Sequence, residues 1–570
     1  MNEITGGELL LQCLKAEGID AMFGIIDGSH VPFVGLTPKY DISYFNAHHE
    51  EAAVHMAEGY SRLKRKISVV IGNPGPGGAN MIAGLSSAQG EGHPILAITC
   101  TRRTATAQPD RGGAWQATDL YEMAKPVTKY CAYVTRLDRF PELVRTACRA
   151  AMTGRPGPSM LVIPDELLTM KIDAEQLRIV PSEKYRVQDM GAGDPQNIHT
   201  AAKWLAEAGK IFIHVGKGVI WANGSKELLA LGEYLGAALG SSTGARGTVP
   251  EDHPHFFSGL DMPAVIMART EADVVLVVGS RLGEYDGWGM PPLWGDPAKQ
   301  KTIHIDSDPL SIGLNRPVDL AIVADAGKAL SALLQEVKTL TEPRQTMPGL
   351  EKYREASAST HAKLMAYLQA PAEHGVNPAL LMASLRKGLP RDTITVLDGG
   401  NTVLVASAYF PILEPHSFIY SVKMGYLGTG LPFAIGAKAA NPDRPVCLIT
   451  GDGALGFCIM EMETALRHKL PITVVVAVDG SWGMEKSAFL SRGFSEDQFV
   501  DIHIDTATRY DLMAEAMGCY GAFVDDINKL PEALGQAAAS GKPALIHVVV
   551  DPALNVNPPG RDQFKYVRST

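Results

Sequence analysis

Two apolar runs, "PVCLITGDG" (445–453) and "PITVVVAVDG" (471–480), each close on Asp-Gly, and a helical stretch, "ALGFCIMEMETALRHKL", fills the space between them. This order predicts a strand, a helix and a parallel neighbouring strand. Asp452 and Asp479 then sit 27 positions apart at the carboxyl ends of adjacent strands, where open parallel sheets collect ligands near helix N-termini. A single Asp-Gly is a helix cap or a turn. Two carboxylates brought to one crevice are different, because glycines beside both let backbone amides approach phosphate oxygens. They suit a Mg²⁺ ion that holds a phosphorylated ligand.

The same alternation recurs along the chain. "ISVVIG", "PILAIT" and "MLVIP" mark a first block over 1–170, and "IFIHVG", "DVVLVVGSRLG" and "TIHIDSDP" a second over 190–340. "ITVLDGG", the two opening runs and "ALIHVVVDP" mark a third over 370–552. Short apolar strands alternating with helical patterns predict an α/β protein of three domains, each a mostly parallel sheet flanked by helices. The 570 residues are enough for that many domains. "SEKYRVQDMGAGDPQN" reads as a linker, "TLTEPRQTMPGLEKYREASASTHAK" as a helix-capable connection, and 553–570 as a tail. The first and third blocks share a strand, glycine loop and helix: "IGNPGPGGANMIAGLSSA" against "MGYLGTGLPFAIGAKAA".

Composition narrows the partners. A net charge of −10 argues against nucleic acid. The seven cysteines are scattered, with no C-x-x-C, and read as reduced thiols of a cytoplasmic protein. The acidic start, "MNEITGGELLLQCLKAEGID", is not a signal peptide, and no apolar run nears the roughly 20 residues of a membrane span.

"GDGALGF…VDGSWG" resembles the motif of thiamine-diphosphate enzymes, and the resemblance extends over nearly the whole chain. "HHEEAAVHMAEGYSR" is similar to the family's activating-glutamate helix, "GPGGANMIAGLSSA" to its first glycine loop, and "MGYLGTGLPFAIGAK" to its cofactor-clamping loop. "DVVLVVGSRLGE…IHIDSDPLSIGLNRPVDLAIVAD" is similar to the middle domain of acetohydroxyacid synthases. The superfamily joins acetohydroxyacid synthase, benzaldehyde lyase and oxalyl-CoA decarboxylase, and the chain looks closest to 2-hydroxyacyl-CoA lyase. One position departs: the usual Asn-Asn is Val478–Asp479 here. Asp is at least as good a Mg²⁺ ligand as Asn.

The resemblance implies thiamine diphosphate and Mg²⁺ as cofactors, the metal on Asp452, Asp479 and the backbone carbonyl of Ser481. Cofactor contacts are implied for Gly75, Asn401, Gly425, Leu427, Gly451, Gly453, Ala454, Trp482, Gly483 and Met484. Glu50 matches the glutamate that activates the cofactor's aminopyrimidine ring, and the motif's register selects it over Glu51. Gln116 matches a glutamine lining the catalytic centre. His30 lies one position from a catalytic histidine of benzaldehyde lyase, and a bystander histidine is an equal reading. Glu485 follows the motif where the acyl pocket is shaped. It is either a general acid–base or a surface glutamate paired with Lys486 or Arg492. The middle domain resembles a Rossmann half-site that in relatives holds ADP, FAD or nothing. A homodimer or homotetramer is implied.

For the reaction, the tail offers Arg561, Lys565 and Arg568 among Phe564 and Tyr566, and Arg102 and Arg103 add further cations. Basic residues on a closing segment suit an acyl-CoA, although a disordered terminus is an equal reading of the tail. The expectation is a carbon–carbon lyase that cleaves a 2-hydroxyacyl-CoA to an aldehyde or ketone plus formyl-CoA. The alternative is a lyase, carboligase or decarboxylase of small 2-keto acids or hydroxyketones. A regulatory homologue without turnover fits less well, because Glu50, Asp452 and Asp479 are all present.

Overall fold

Continuous valine, isoleucine and leucine runs such as Val274–Val278 and Thr473–Val478 are buried along almost their whole length. Only a parallel sheet covered on both faces buries a strand that way. The computed structural model describes residues 3–556 and 558, apart from Gln108, Asp189 and Leu260. It contains two six-stranded sheets and one five-stranded sheet, in which every neighbouring pair is parallel. Helices flank each sheet, giving three α/β domains along the chain. A short antiparallel ribbon, Glu3–Thr5 with Lys171–Asp173, ties the two ends of the first block together.

Counting each sheet's strands in chain order, the first and third sheets have one topology, 2-1-3-4-6-5, and the middle sheet is 2-1-3-4-5. The shared glycine-loop theme of the two outer blocks therefore belongs to a shared architecture. Between the middle and third sheets, the connecting segment forms the Leu350–Leu368 helix. The seven cysteines are free thiols, and all but Cys131 are buried. Among the described residues, no helix is long and apolar enough to cross a membrane.

The outer blocks are locked to each other by two helices, Glu50–Lys64 and Gly430–Ala440. Their backbones meet at two glycines. A Cβ on Gly436 would fall 1.9 Å from the Met56 carbonyl oxygen, and one on Gly59 would fall 2.4 Å from that of Phe433. Neither contact leaves room for a side chain, so the crossing itself demands glycine. Around it, apolar residues of both blocks merge into a single core that includes Val54, Met56, Leu431, Phe433 and Met462. Glu91 is where all three blocks meet. Its carboxylate pairs with Lys217 of the middle block at 2.5 Å and accepts the Lys423 amide of the third block at 2.6 Å. Burial opposes that charge, but the Lys217 ammonium prevails and the carboxyl lies below its ordinary range.

Candidate active site

The third block builds an acidic turn. Strand Val446–Gly451 runs beside Thr473–Val478 with Gly451 opposite Ala477, so both strands deliver an aspartate to the same sheet end. Asp452 is 3% exposed. Its two carboxylate oxygens accept the amides of Gly453 and Gly480, each at 2.9 Å. Burial first, and then the Asp479 charge, push its carboxyl up to about 7. Burial also raises Asp479. Asp479 accepts the Ser481 amide at 3.0 Å and its hydroxyl at 3.2 Å on one oxygen, and the Asn555 carboxamide at 2.7 Å on the other.

The remaining residues of this half close around the pair. Asn401 donates to the Asn555 carbonyl at 2.6 Å. A Cβ on Gly483 would lie 2.8 Å from the Asn401 amide nitrogen and 3.3 Å from an Asp479 oxygen, so the backbone passes here only as glycine. Gly453 abuts the Trp482 ring, and Met484 lies over Gly400. Ala454 is buried, while Gly399 faces the Gly451 amide. Gly425 has a left-handed φ of +59° and open space where a Cβ would be, and Leu427 is half-buried. Among the described residues no three His, Cys, Asp or Glu side chains cluster to hold a metal. A buried and a half-buried carboxylate, with a third oxygen left to the backbone, fit a hard divalent cation.

The first block builds the other half. Glu50 opens the Glu50–Lys64 helix and is 5% exposed. Its Oε2 accepts the Asn80 carboxamide at 3.0 Å, and its Oε1 would be 2.7 Å from a Cβ on Gly77. Glu51 faces elsewhere. The His55 ring, 3.8 Å away, holds its carboxyl below the ordinary range against the opposing effect of burial. Gly75 caps the Pro76–Glu91 helix at φ +70°, and a Cβ there would be 2.7 Å from the Gln116 carbonyl oxygen. Gln116 itself holds φ +56°, rare for a residue with a side chain. Its carboxamide oxygen accepts a short hydrogen bond from Arg102.

Two of the catalytic candidates stand apart. His30 is fully buried against the backbones of Ile25 and Gly72, with no well-formed hydrogen bond at either ring nitrogen. Burial pushes it down to about 4, so its imidazole is neutral at physiological pH. Glu485 is exposed, and its side chain has no ion pair or hydrogen bond among the described residues. Lys486 pairs with Glu496 at 3.4 Å instead, and Arg492 donates to the Ala488 carbonyl.

Three residues that sequence reasoning passed over support the two halves. Asp398 accepts the amides of Gly399 at 2.7 Å and Gly430 at 2.8 Å, and its burial raises the carboxyl to about 6. Asn555 joins Asn401 to Asp479. Glu461 accepts the amides of His48 at 3.0 Å and His49 at 3.2 Å, pinning the turn that precedes Glu50. The rule that ligands gather at strand carboxyl ends points to Asp398 and Asn555, since each follows such an end. Nothing local marks Glu461.

The middle sheet has its own crevice, a cavity of about 750 Å³. It opens where the strand order reverses, between Ile211–Val215 and Val274–Val278. The turns there pack without side chains, since a Cβ on Gly216 would be 2.2 Å from the Gly279 carbonyl oxygen. Arg155, Lys217, Arg281 and Lys423 line it beside Glu91 and Asp306.

Two sheets of one topology around a Rossmann-like middle sheet, with an acidic turn on one and a buried glutamate on the other, define a three-domain cofactor-dependent α/β enzyme. The comparisons make the class specific. Residues 4–123 match the N-terminal TPP binding domain of thiamine pyrophosphate enzymes, 198–333 their central domain, and 398–548 their C-terminal TPP binding domain. A probable acetolactate synthase large subunit of Methanocaldococcus jannaschii is 30% identical over 578 residues, covering 98% of this chain and 94% of that one. Sulfoacetaldehyde acetyltransferases of Alcaligenes xylosoxydans xylosoxydans and Castellaniella defragrans are 30% and 29% identical. They cover 96% and 94% of this chain, and 93% and 91% of their own. The chain belongs to the thiamine pyrophosphate enzymes, in the superfamily of the acetohydroxyacid synthases.

Proposed function

We propose that the protein is a carboligase or decarboxylase of small 2-keto acids, in the manner of an acetolactate synthase. End-to-end similarity to proteins named acetolactate synthase carries this reading. The expectation of a 2-hydroxyacyl-CoA lyase has less behind it. The relatives above are synthases and acetyltransferases, and the cations of the tail lie outside the described residues.

Thiamine diphosphate, when bound, supplies a thiazolium carbon that adds to a carbonyl and stabilises the carbanion left after cleavage. The chain's part is to hold and prepare it. Asp452, Asp479 and the Ser481 carbonyl would hold Mg²⁺, and the glycine-bounded turn admits phosphate oxygens to backbone amides. Glu50, buried and fixed by Asn80, would exchange a proton with the aminopyrimidine. Gln116 would present a donor to a developing oxyanion.

The two halves belong to different blocks, and among the described residues no hydrogen bond or ion pair joins Glu50 or Gln116 to Asp452 or Asp479. Large apolar side chains stay exposed on both blocks, with Val31 at 54%, Phe457 at 65% and Met460 at 50%. A surface of that kind suits burial against a second subunit, so we read the assembly as a homodimer or homotetramer that completes each site from two chains.

Substrate assays decide the reaction. Pyruvate, alone and with a second 2-keto acid, should release CO₂ and yield a hydroxyketo product, while a 2-hydroxyacyl-CoA should give no formyl-CoA. Turnover of the acyl-CoA with none of pyruvate would reverse the reading. The middle cavity we assign to a nucleotide, ADP or FAD, because its glycine turns, volume and six lining cations suit a diphosphate. Calorimetric titration should show saturable binding of one of the two, and Lys217→Glu should weaken it. Absence of binding by both would leave the cavity as a domain junction.

A further inference from the structure

Beside Gln116 lies another cavity, of about 390 Å³, that none of these roles uses. Its walls are Arg102, Arg103, Thr106, Ala114, Trp115 and Asp165. Arg102 is largely buried and held at one end of the cavity. One guanidinium nitrogen lies 3.4 Å from Asp165, a second donates to the Gln116 carboxamide oxygen, and Nε is buried without a partner. Arg103 is exposed and makes no ion pair or side-chain hydrogen bond among the described residues. Two guanidinium groups thus face one carboxylate. The lining itself therefore carries one more cation than anion.

A guanidinium carries only donors. The Gln116 oxygen must therefore face Arg102, and the carboxamide NH₂ is turned to the other side, free to donate. An oxyanion in the cavity would meet the guanidinium groups of Arg103 and Arg102 that line it, while its carbonyl would lie toward the Gln116 amide. Arginine forks suit carboxylates and sulfonates, which accept two hydrogen bonds side by side. The exposed Trp115 indole gives the short carbon chain between them an apolar wall.

We propose that this cavity is the subsite for the anionic end, carboxylate or sulfonate, of the second, carbonyl-bearing substrate. The proposal rests on the carboligase reading above. In that reaction the first 2-keto acid loses its carboxylate as CO₂ and a new C–C bond forms to the carbonyl carbon of the second. The second carbonyl oxygen takes up one proton, and nothing is oxidised or reduced. An acceptor seated by its acid group would have its carbonyl carbon oriented before the bond forms.

The test uses the holoenzyme with pyruvate as donor and two pairs of acceptors: 2-ketobutyrate against propionaldehyde, and sulfoacetaldehyde against acetaldehyde. Arg103 is exposed and unpaired, so its variants should fold. Arg103→Gln should lower the ratio of kcat/KM for the anionic over the neutral acceptor about tenfold, and Arg103→Glu about a hundredfold, as expected for one and then two changes of charge beside an anion. A larger loss on 2-ketobutyrate than on sulfoacetaldehyde would assign the fork to carboxylates, and the reverse to sulfonates. An unchanged ratio, or equal losses on both members of each pair, overturns the subsite. Fluorescence supplies a readout independent of turnover. Titrating 2-ketobutyrate or sulfoacetaldehyde should quench the Trp115 indole, identified by its absence in Trp115→Phe, and Arg103→Glu should abolish the change. If the wild type ligates no 2-keto acid yet shows the quench, the carboligase reading fails and the anion site stands. If it ligates but shows neither quench nor discrimination, the site fails and the reading stands.

Discussion

Asp452→Ala will leave a folded protein that no longer retains thiamine diphosphate, with an affinity loss of about 10²-fold or more and activity lost with it. Removing even an outer-shell partner of a bound metal costs roughly 10–100-fold, and Asp452 is the more buried of the two carboxylates. Its oxygens also organise the amides of Gly453 and Gly480, so alanine removes both the charge and the shape of the turn. Folding should survive, because burial and the neighbouring Asp479 charge make Asp452 a strained anion in the metal-free protein. Asp479→Asn should behave differently. An amide oxygen can still accept the Ser481 amide, and the substitution removes the repulsion between the pair. Cofactor affinity should stay within a few-fold of the wild type. Calorimetry with thiamine diphosphate and Mg²⁺, run beside an EDTA-treated sample, reads both variants. Wild-type affinity in a folded Asp452→Ala protein would remove the metal assignment.

What the sequence disclosed here followed from physical periodicity. Parallel strands buried on both faces must be unbroken apolar runs, so "DVVLVVG" and "PITVVVAVDG" announce their elements directly. The two Asp-Gly steps announce a shared end because the intervening helix fixes which strands are neighbours. Even Glu50 and Glu51 separate on structural grounds, one buried against Asn80 and Gly77 and the other turned to His55. Contacts between distant segments leave no such trace. Glu461 reaches His48 across more than 400 positions, Asn555 reaches Asp479 across 76, and Arg102 meets Asp165 across 63. His30 shows the converse: its position in a motif-like stretch suggests chemistry, but the fold surrounds it with backbone and the Phe33 ring. The acyl-CoA expectation rests on the resemblance to 2-hydroxyacyl-CoA lyase and on charge in a terminal segment, where composition says little about what the chain contacts. Arg102 and Arg103 were legible only as cations. Their relation to Gln116 appears once the chain is folded.

Glu50→Gln will bind the cofactor and activate it poorly. Glutamine keeps the size of the side chain and an oxygen to accept the Asn80 amide, so neither the start of the helix nor the close approach of Gly77 need change. It cannot take up or release a proton. General acid–base groups contribute about 10²- to 10⁴-fold, and exchange of the thiazolium proton should slow by a factor in that range while calorimetric affinity changes little. The neighbouring substitution controls for charge alone. Glu51→Gln removes the same unit of charge from the same turn, but from a carboxylate directed to His55, so exchange should slow only a few-fold. Hydrogen–deuterium exchange followed by NMR on each holoenzyme separates the two. If Glu51→Gln were the slow variant and Glu50→Gln exchanged normally, the proton partner would be the glutamate facing His55. The buried carboxylate beside Asn80 would then be a helix-start anchor, and the chemistry would have to enter from the His55 side of the helix.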